Sequence, residues 1–463
     1  MPKYRDLVGL GGGELVYSYT ASIEHDENIA REALHVLLAH AVHLAEEAII
    51  PGDAACKIIA ALREMLAEPG SLLREGYEDV WEAFEDVLYD RVGDAAGYLF
   101  LGRSRNDHVS AALRLWARGK AASTAANIIA ARRHLLEKAR LWSRIPVVLH
   151  THGLPSQIGF ASCIAMAWEE ALASSTELLL AALKLVDRSP LGASAGAGTL
   201  APIRPERLAW LLGFDSTIAS SIYSAGSRMD LFSLAAASAL FLEEASRIAS
   251  DIIMYSSPYI ALLKLPEKHI STSSVMPHKR NPVTLEVLRA RAARAAGSLA
   301  SLLAIAGGLP NGYSLDLQEA NKILYMIILD AYTSSQILED LLSEIEWEAS
   351  SEPSRVMAWG AELAEAIALN EKIPFRRAYR MVAEALRSGR VRELLEKQGY
   401  HDPLELAASR ATGCAPRAVE RAWSIALERL ERHSSMIEPY AAKLVGYQQR
   451  LLSAADEVLK ACR

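Results

Sequence analysis

The stretch LFSLAAASALFLEEASRIASDIIMY, residues 231–255, decides the fold class. It contains no proline or glycine, and alanine and leucine, both strong helix formers, recur through it. Its only charges are Glu243, Glu244, Arg247 and Asp251, so a helix here is apolar on most faces. A helix of that kind is buried in a bundle or at a subunit interface. The flanking sequence extends the pattern. No proline occurs between Pro69 and Pro146 or between Pro205 and Pro258, and proline is the residue that breaks helices. Such gaps permit very long helices. Strand patterning is scarce, with Val147-Val148-Leu149 as a short exception. The expected fold is all-α, with a central bundle of long helices.

Glycine and proline clusters divide the chain into three expected units: an N-terminal helical domain (1–107), a central long-helix bundle (108–353) and a C-terminal helical domain (354–463). The chain has 463 residues, 51% hydrophobic and 23% charged, with a formal net charge of −7. That balance gives no general reason to bind nucleic acid or an anionic membrane, although a local basic pocket can still hold an anion. The longest uncharged stretch, 295–315, is broken by Gly307, Gly308, Pro310 and Gly312 and makes a poor membrane span. The opening MPKYRDLVGLGGGELVYSYT lacks a basic start followed by an apolar run, so no signal peptide is expected. Cys56, Cys163, Cys414 and Cys462 form no CxxC pair and lie near no histidine at metal-ligand spacing. The expectation is a reduced, cytoplasmic protein with idle thiols. His35, His40 and His43 share one helix at spacings that do not make a zinc motif, and they are read as ordinary packing or surface residues.

Four segments carry chemistry. Residues 271–286, STSSVMPHKRNPVTLE, read as a loop entering a helix. Removing a proton beside a carboxylate places a second negative charge on that carboxylate, so the site needs a cation and hydrogen-bond donors there. Lys279 and Asn281 are such donors, and Ser273 can move the proton if its neighbours lower its pKa. The plainer alternative is a polar surface loop with a phosphate-binding lysine. Residues 102–116, GRSRNDHVSAALRLW, set two arginines and an amide at a helix entrance, which makes either a carboxylate site or a simple N-cap with surface arginines. Residues 150–157, HTHGLPSQ, place two histidines around Thr151 with no third ligand for a metal. Residues 308–322, GLPNGYSLDLQEANK, read as a loop running into a helix.

The first segment resembles the signature GSSxMPxKxNPxxxE of the fumarase/aspartase superfamily, whose members break C–N or C–O bonds with loss of fumarate. Thr272 stands where that signature has glycine. GRSRND followed by LRLW resembles the argininosuccinate lyase family. Residues 150–157 resemble that family's THLQRAQP stretch at Thr151, His152 and Gln157 and differ from it between them. Residues 308–322 resemble GLPxxYNxDLQEDK, with Asn321 at the family lysine and Lys322 one residue later, roughly 100° further round a helix. Weaker likenesses are TASIEHD (20–26) to an SIxxD segment, LGASAGAG (191–198) to PLGSGALAG, and GSRMD (226–230) to SxRDF with the aspartate displaced by one.

The resemblance implies a three-domain fumarase/aspartase-type fold in which four subunits pool their central helices into a tetramer core. Each active site then draws motifs from three chains. It implies catalytic roles for Ser273, His152, Lys279 and Glu286, the last orienting His152. It implies substrate contacts from Ser22, Arg105, Asn106, Thr151, Asn281, Tyr313 and Gln318, with Tyr313 and Gln318 on an arginine portion. No metal or organic cofactor is implied. The implied activity is cleavage of argininosuccinate to arginine and fumarate in arginine biosynthesis. Which of Ser273 and His152 is base and which is acid stays open. So do three other readings, one of them another fumarate-releasing member of the superfamily. MPHKRNP, with His278, Arg280 and Val283, reads more like the adenylosuccinate lyase branch, and a catalytically silent, crystallin-like homologue would keep the fold without the chemistry.

Overall fold

A computed structural model describes residues 13–73, 76–348, 353 and 356–462. The opening residues, read above for a leader pattern, begin outside the described residues, as does Glu352 beside the second expected boundary. The architecture is helical. After two short helices, Glu14–Thr20 and Ile23–Asp26, three longer ones, α1 (Ala30–Glu46), α2 (Gly52–Met65) and α3 (Val80–Val92), lead into α4 (Arg105–Leu141). A hairpin of β1 (Pro146–Thr151) and β2 (Leu154–Phe160) follows, then α5 (Ala161–Val186), α6 (Met229–Ser256), α7 (Val283–Gly307) and α8 (Asp316–Glu344). The chain ends in α9 (Gly360–Glu371), α10 (Phe375–Arg387), two short helices and α11 (Pro416–Ala461). Among the described residues, no helix is long and apolar enough to cross a membrane.

The stretch 231–255 lies wholly inside α6, whose inner face buries Leu231, Phe232, Leu234, Phe241, Leu242, Ile248 and Ile252. The helix stops before Pro258, as expected where proline restricts the residue ahead of it. Helices α4 to α8 pack into one bundle. Three arginines of α4 are fully buried in it and meet acids from its neighbours. Arg114 lies 3.1 Å from Asp230, Arg118 2.6 Å from Asp187 and Arg132 2.8 Å from Glu169. Buried pairs add little net stability, but removing one partner strands a charge, so they fix how α5 and α6 sit on α4. Helix α11 lies along α4, α5 and the N-terminal helices, and its Leu430, Ile437, Tyr447 and Leu451 join the main core. A second, smaller core joins Val148 and Ile158 of the hairpin to Trp359, Leu363, Ile367, Val382 and Leu406.

The expectation of idle thiols is overturned. Cys56 is bonded to Cys462, and Cys163 to Cys414. The partners stand 406 and 251 residues apart, so no local spacing could reveal them. The first bond ties the end of α11 to α2. The second ties the segment after the small core to α5. His35, His40 and His43 are buried packing residues. His40 Nε2 lies 2.9 Å from the Leu101 carbonyl, and His43 Nε2 accepts the N–H of Arg204.

Candidate active site

The entrance of α4 is built by a capping box. Ser104 Oγ accepts the N–H of Asn106, and Asp107 accepts the N–H of Ser104 at 3.1 Å. The other oxygen of Asp107 accepts the N–H of Ser194 at 2.9 Å, and burial pushes the Asp107 pKa up to about 6. This frame presents Arg105 and Asn106 to a cleft of about 130 Å³. The opposite walls come from three further segments: Ser22 and Asp26, Glu78 to Trp81, and Tyr313 to Asn321. Five residues named from the sequence as substrate contacts therefore converge here: Ser22, Arg105, Asn106, Tyr313 and Gln318.

Charge in the cleft is dense. Arg105 donates to Asp79 at 2.7 Å and lies 3.5 Å from Glu78. Asp79 also caps α3 by accepting the N–H of Glu82 at 2.8 Å. Ser22 donates to Asp26 at 2.9 Å, and the same carboxylate oxygen accepts the N–H of Val80 at 3.0 Å. Burial pushes the Asp26 pKa up to about 7. Gln318 donates to the Thr20 carbonyl at 2.7 Å. Behind Tyr313 stands the guanidinium of Arg228, 6.0 Å from the ring centroid. Arg228 donates to the carbonyls of Ala225 and Ser227 and has no carboxylate partner among the described residues. Burial lowers its pKa to about 10.

The remaining candidates lie at the other end of the bundle. Helix α4 has 37 residues, so its two ends are about 55 Å apart. Arg105 opens it, and the hairpin carrying Thr151 and His152 follows its far end. His152 and Gly153 form the two-residue tip, with φ of 55° and 74°. Positive φ at both positions is what a tight hairpin turn requires, and histidine there is a strained choice. His152 and Thr151 are exposed. Gln157 leaves the tip and donates to Glu362 at 2.6 Å.

The 271–286 loop is also far from the cleft. It is closed by the pairing of Ser271 with Asn281 and Thr272 with Arg280. Just before it, Lys268 donates to Asp340 at 2.6 Å, and His269 lies 3.2 Å from the same carboxylate. Asp340 is near the end of α8, whereas Gln318 is near its start, roughly 33 Å away at the helical rise. Within the loop, Ser273 Oγ accepts the N–H groups of Val275 and Met276, both at 3.2 Å. Two donors on one oxygen favour its anionic form. Lys279 is exposed, and Glu286 is exposed on the first turn of α7. None of Thr151, His152, Ser273, Lys279, Asn281 or Glu286 lines the cleft.

A protein-family profile described as "Lyase" matches residues 13–297. The chain is 40% identical over 431 residues to the argininosuccinate lyase of Pyrobaculum islandicum, covering 92% of this chain and 98% of that one. It is 35% identical over 447 residues to the argininosuccinate lyase of Sulfurisphaera tokodaii, covering 96% and 97%. The chain belongs to the argininosuccinate lyase family. Its members are carbon–nitrogen lyases of the fumarase/aspartase superfamily, and the fold agrees. EDDS lyase in complex with formate superposes with a TM-score of 0.82 at 23% identity, over 99% of this chain and 96% of that one. The class II fumarase of Schistosoma mansoni gives 0.71 at 14% identity, over 88% and 94%.

Four further residues line the cleft that were not named from the sequence as substrate contacts: Asp26, Glu78, Asp79 and Asn321. Asp26 had a sequence signal, because it is the aspartate of the SIxxD likeness at 20–26. Glu78 and Asp79 had none, since they enter the cleft from a segment with no chemical pattern of its own.

Proposed function

We propose that this chain cleaves argininosuccinate to arginine and fumarate. The observation that carries the reading is the cleft that brings Ser22, Arg105, Asn106, Tyr313 and Gln318 together from separate segments. In the proposed reaction, Ser273 takes the proton from the succinate carbon beside one carboxylate. The electron pair moves into that carboxylate, and Lys279 and Asn281 hold the added charge. Collapse of this aci-carboxylate forms the C=C bond of fumarate and breaks the C–N bond. A general acid, with His152 as the candidate oriented by Glu286, protonates the departing guanidine. Thr151 contacts the succinate end.

The same reading requires more than one chain. Helix α4 holds Arg105 and the His152 hairpin about 55 Å apart, and α8 separates Gln318 from the signature loop by roughly 33 Å. A complete site therefore combines the cleft of one subunit with the hairpin and loop of others, in a homotetramer built on the central helices. The division at residues 107 and 353 and a cytoplasmic location belong to this proposal.

The test is fumarate release by purified protein, followed by absorbance, with argininosuccinate and adenylosuccinate assayed side by side. Turnover of argininosuccinate alone is expected. Turnover of adenylosuccinate alone would favour the reading carried by His278 and Arg280, and no turnover of either would favour the silent homologue.

A further inference from the structure

The hairpin that carries His152 is too small to hold its own shape. Two isolated strands are marginally stable in water, and this pair is weakest toward its tip. Leu149 faces Gln157 and His150 faces Pro155, so Ser156 has no partner across the hairpin and forms a bulge. Beyond the bulge two residue pairs remain, and Pro155 in one of them has no N–H to donate. The direction of the tip is therefore set at the bulge.

Residues 157 and 158, next to the bulge, are held from outside the hairpin. The N–H of Ile158 donates to the Ala358 carbonyl at 2.9 Å, and the Ile158 carbonyl accepts from Arg410 Nη1 at 2.6 Å. Gln157 donates to Glu362 Oε1 at 2.6 Å. Arg410 donates to the same oxygen, through Nε at 3.0 Å and through Nη2. Glu362 is buried on the first turn of α9, and Arg410 follows the short helix Pro403–Ala408. A buried carboxylate that takes donors from a guanidinium and an amide fixes both, because moving either leaves its charge less well paired. The Arg410 loop is itself tied down. Cys414 is bonded to Cys163 on the first turn of α5, and Gly159 leaves room beside it: a Cβ there would stand 2.9 Å from Leu149 Cδ1 and 3.4 Å from Cys414 Cβ.

We infer that Glu362 and Arg410 are positioning residues for His152: acting through Gln157 and Ile158, they set the direction in which the hairpin presents the imidazole to the substrate. The inference rests on the argininosuccinate reading above and on His152 as the proton-transfer group. Neither Glu362 nor Arg410 lines the cleft, so their effect on the reaction passes through the hairpin alone.

The test uses the intact protein. Steady-state kinetics with argininosuccinate are measured for the wild type, His152→Asn, Gln157→Met, Glu362→Gln and Glu362→Ala, and for Gln157→Met and Glu362→Ala each combined with His152→Asn. Circular dichroism melts check that each variant is folded. Misplacing a reacting group by about 1 Å can cost about 10²-fold in rate. Glu362→Ala is expected to lower kcat about 10–100-fold, and Gln157→Met, which removes only the link to the hairpin, about tenfold. Glu362→Gln keeps an acceptor for Gln157 and Arg410 and should retain kcat within about threefold. In the His152→Asn background, Gln157→Met and Glu362→Ala should each lower kcat by no more than about twofold, because the group they position is gone. A merely structural role predicts the opposite, since a loss of active protein multiplies with the His152 defect. The full loss persisting in that background would overturn the inference, and so would wild-type kcat in folded Gln157→Met. If Glu362→Ala does not fold, Gln157→Met decides alone, since Gln157 lies at the surface. His152→Asn distinguishes the two levels. If it loses activity while Gln157→Met does not, only this inference fails. If His152→Asn keeps wild-type kcat, or the wild type does not cleave argininosuccinate, the underlying reading and this inference fail together.

Discussion

Replacing Asp26 with asparagine tests how the cleft tolerates buried charge. Asp26 is 6% exposed, and its pKa stands at about 7 against an ordinary 3.8. Burial is the main cause and Asp79 adds to it; the Val80 N–H, the Ser22 hydroxyl and Arg105 pull the other way. The folded state thus holds its proton more tightly than the unfolded state. The stability due to this group is fully present below pH 3.8 and is lost as pH rises through about 7. The whole shift corresponds to about 4 kcal/mol, and about 3 kcal/mol of it falls between pH 5 and pH 8. Asparagine is isosteric and its carbonyl can still accept from both Ser22 and Val80, so the substitution removes the titration with little change in packing.

The assay is denaturant unfolding of wild type and Asp26→Asn at pH 5, 6, 7 and 8, at one protein concentration because assembly contributes to stability. Glu32 and Asp107, raised to about 7 and about 6, titrate in the same range, and the difference between the two proteins cancels them. The wild type is expected to lose about 3 kcal/mol relative to the variant from pH 5 to pH 8. A difference that stays flat across this range would refute the reasoning. It would mean that Asp26 is ionised throughout and that Arg105 and the hydrogen bonds outweigh its desolvation.

Ser273→Ala should lower kcat by about 10²–10⁴-fold, the usual worth of a proton-transfer group, with melting unchanged. His152→Asn should lose a similar factor while the hairpin survives, because asparagine accepts the positive φ at the tip; a folded variant with wild-type kcat would remove His152 from proton transfer. Mixed assemblies made from Asn106→Ala and Ser273→Ala chains should recover activity that neither shows alone, since one chain contributes an intact cleft and the other an intact loop; no recovery on co-refolding would argue for a site inside one chain. Reduction of Cys56–Cys462 and Cys163–Cys414 should lower stability by about 2–5 kcal/mol per bond, the usual cost of removing a native disulfide, read as a fall in Tm with added reductant. Arg228→Met should raise KM for argininosuccinate while costing about 1 kcal/mol or less of stability, well under the 3–5 kcal/mol expected when a buried ion pair is broken.

Much of the fold was legible because helix formation is local. The apolar run 231–255 and the proline-free gaps needed no knowledge of distant partners, and they correspond to α6 and α4. The residues of the cleft were legible for a different reason: Arg105, Asn106, Tyr313 and Gln318 sit in motifs whose residues are contiguous. Partnerships across the chain were not. Cys56 and Cys462 meet only because α11 folds back over α2, and Arg228 comes behind Tyr313 only because the turn at 226–228 packs against the 311–313 loop. Asn321 shows the boundary between the two cases. Its place one turn from Gln318 follows from helical periodicity, but the choice between Asn321 and Lys322 needed the helix's absolute rotation in the bundle. Burial of Leu317, Ala320, Leu324 and Tyr325 sets that rotation, leaving Asn321 at the cleft and Lys322 free to pair with Glu319 on the surface. A contact that one residue of register can reverse is therefore decided by core packing on the far side of the same helix.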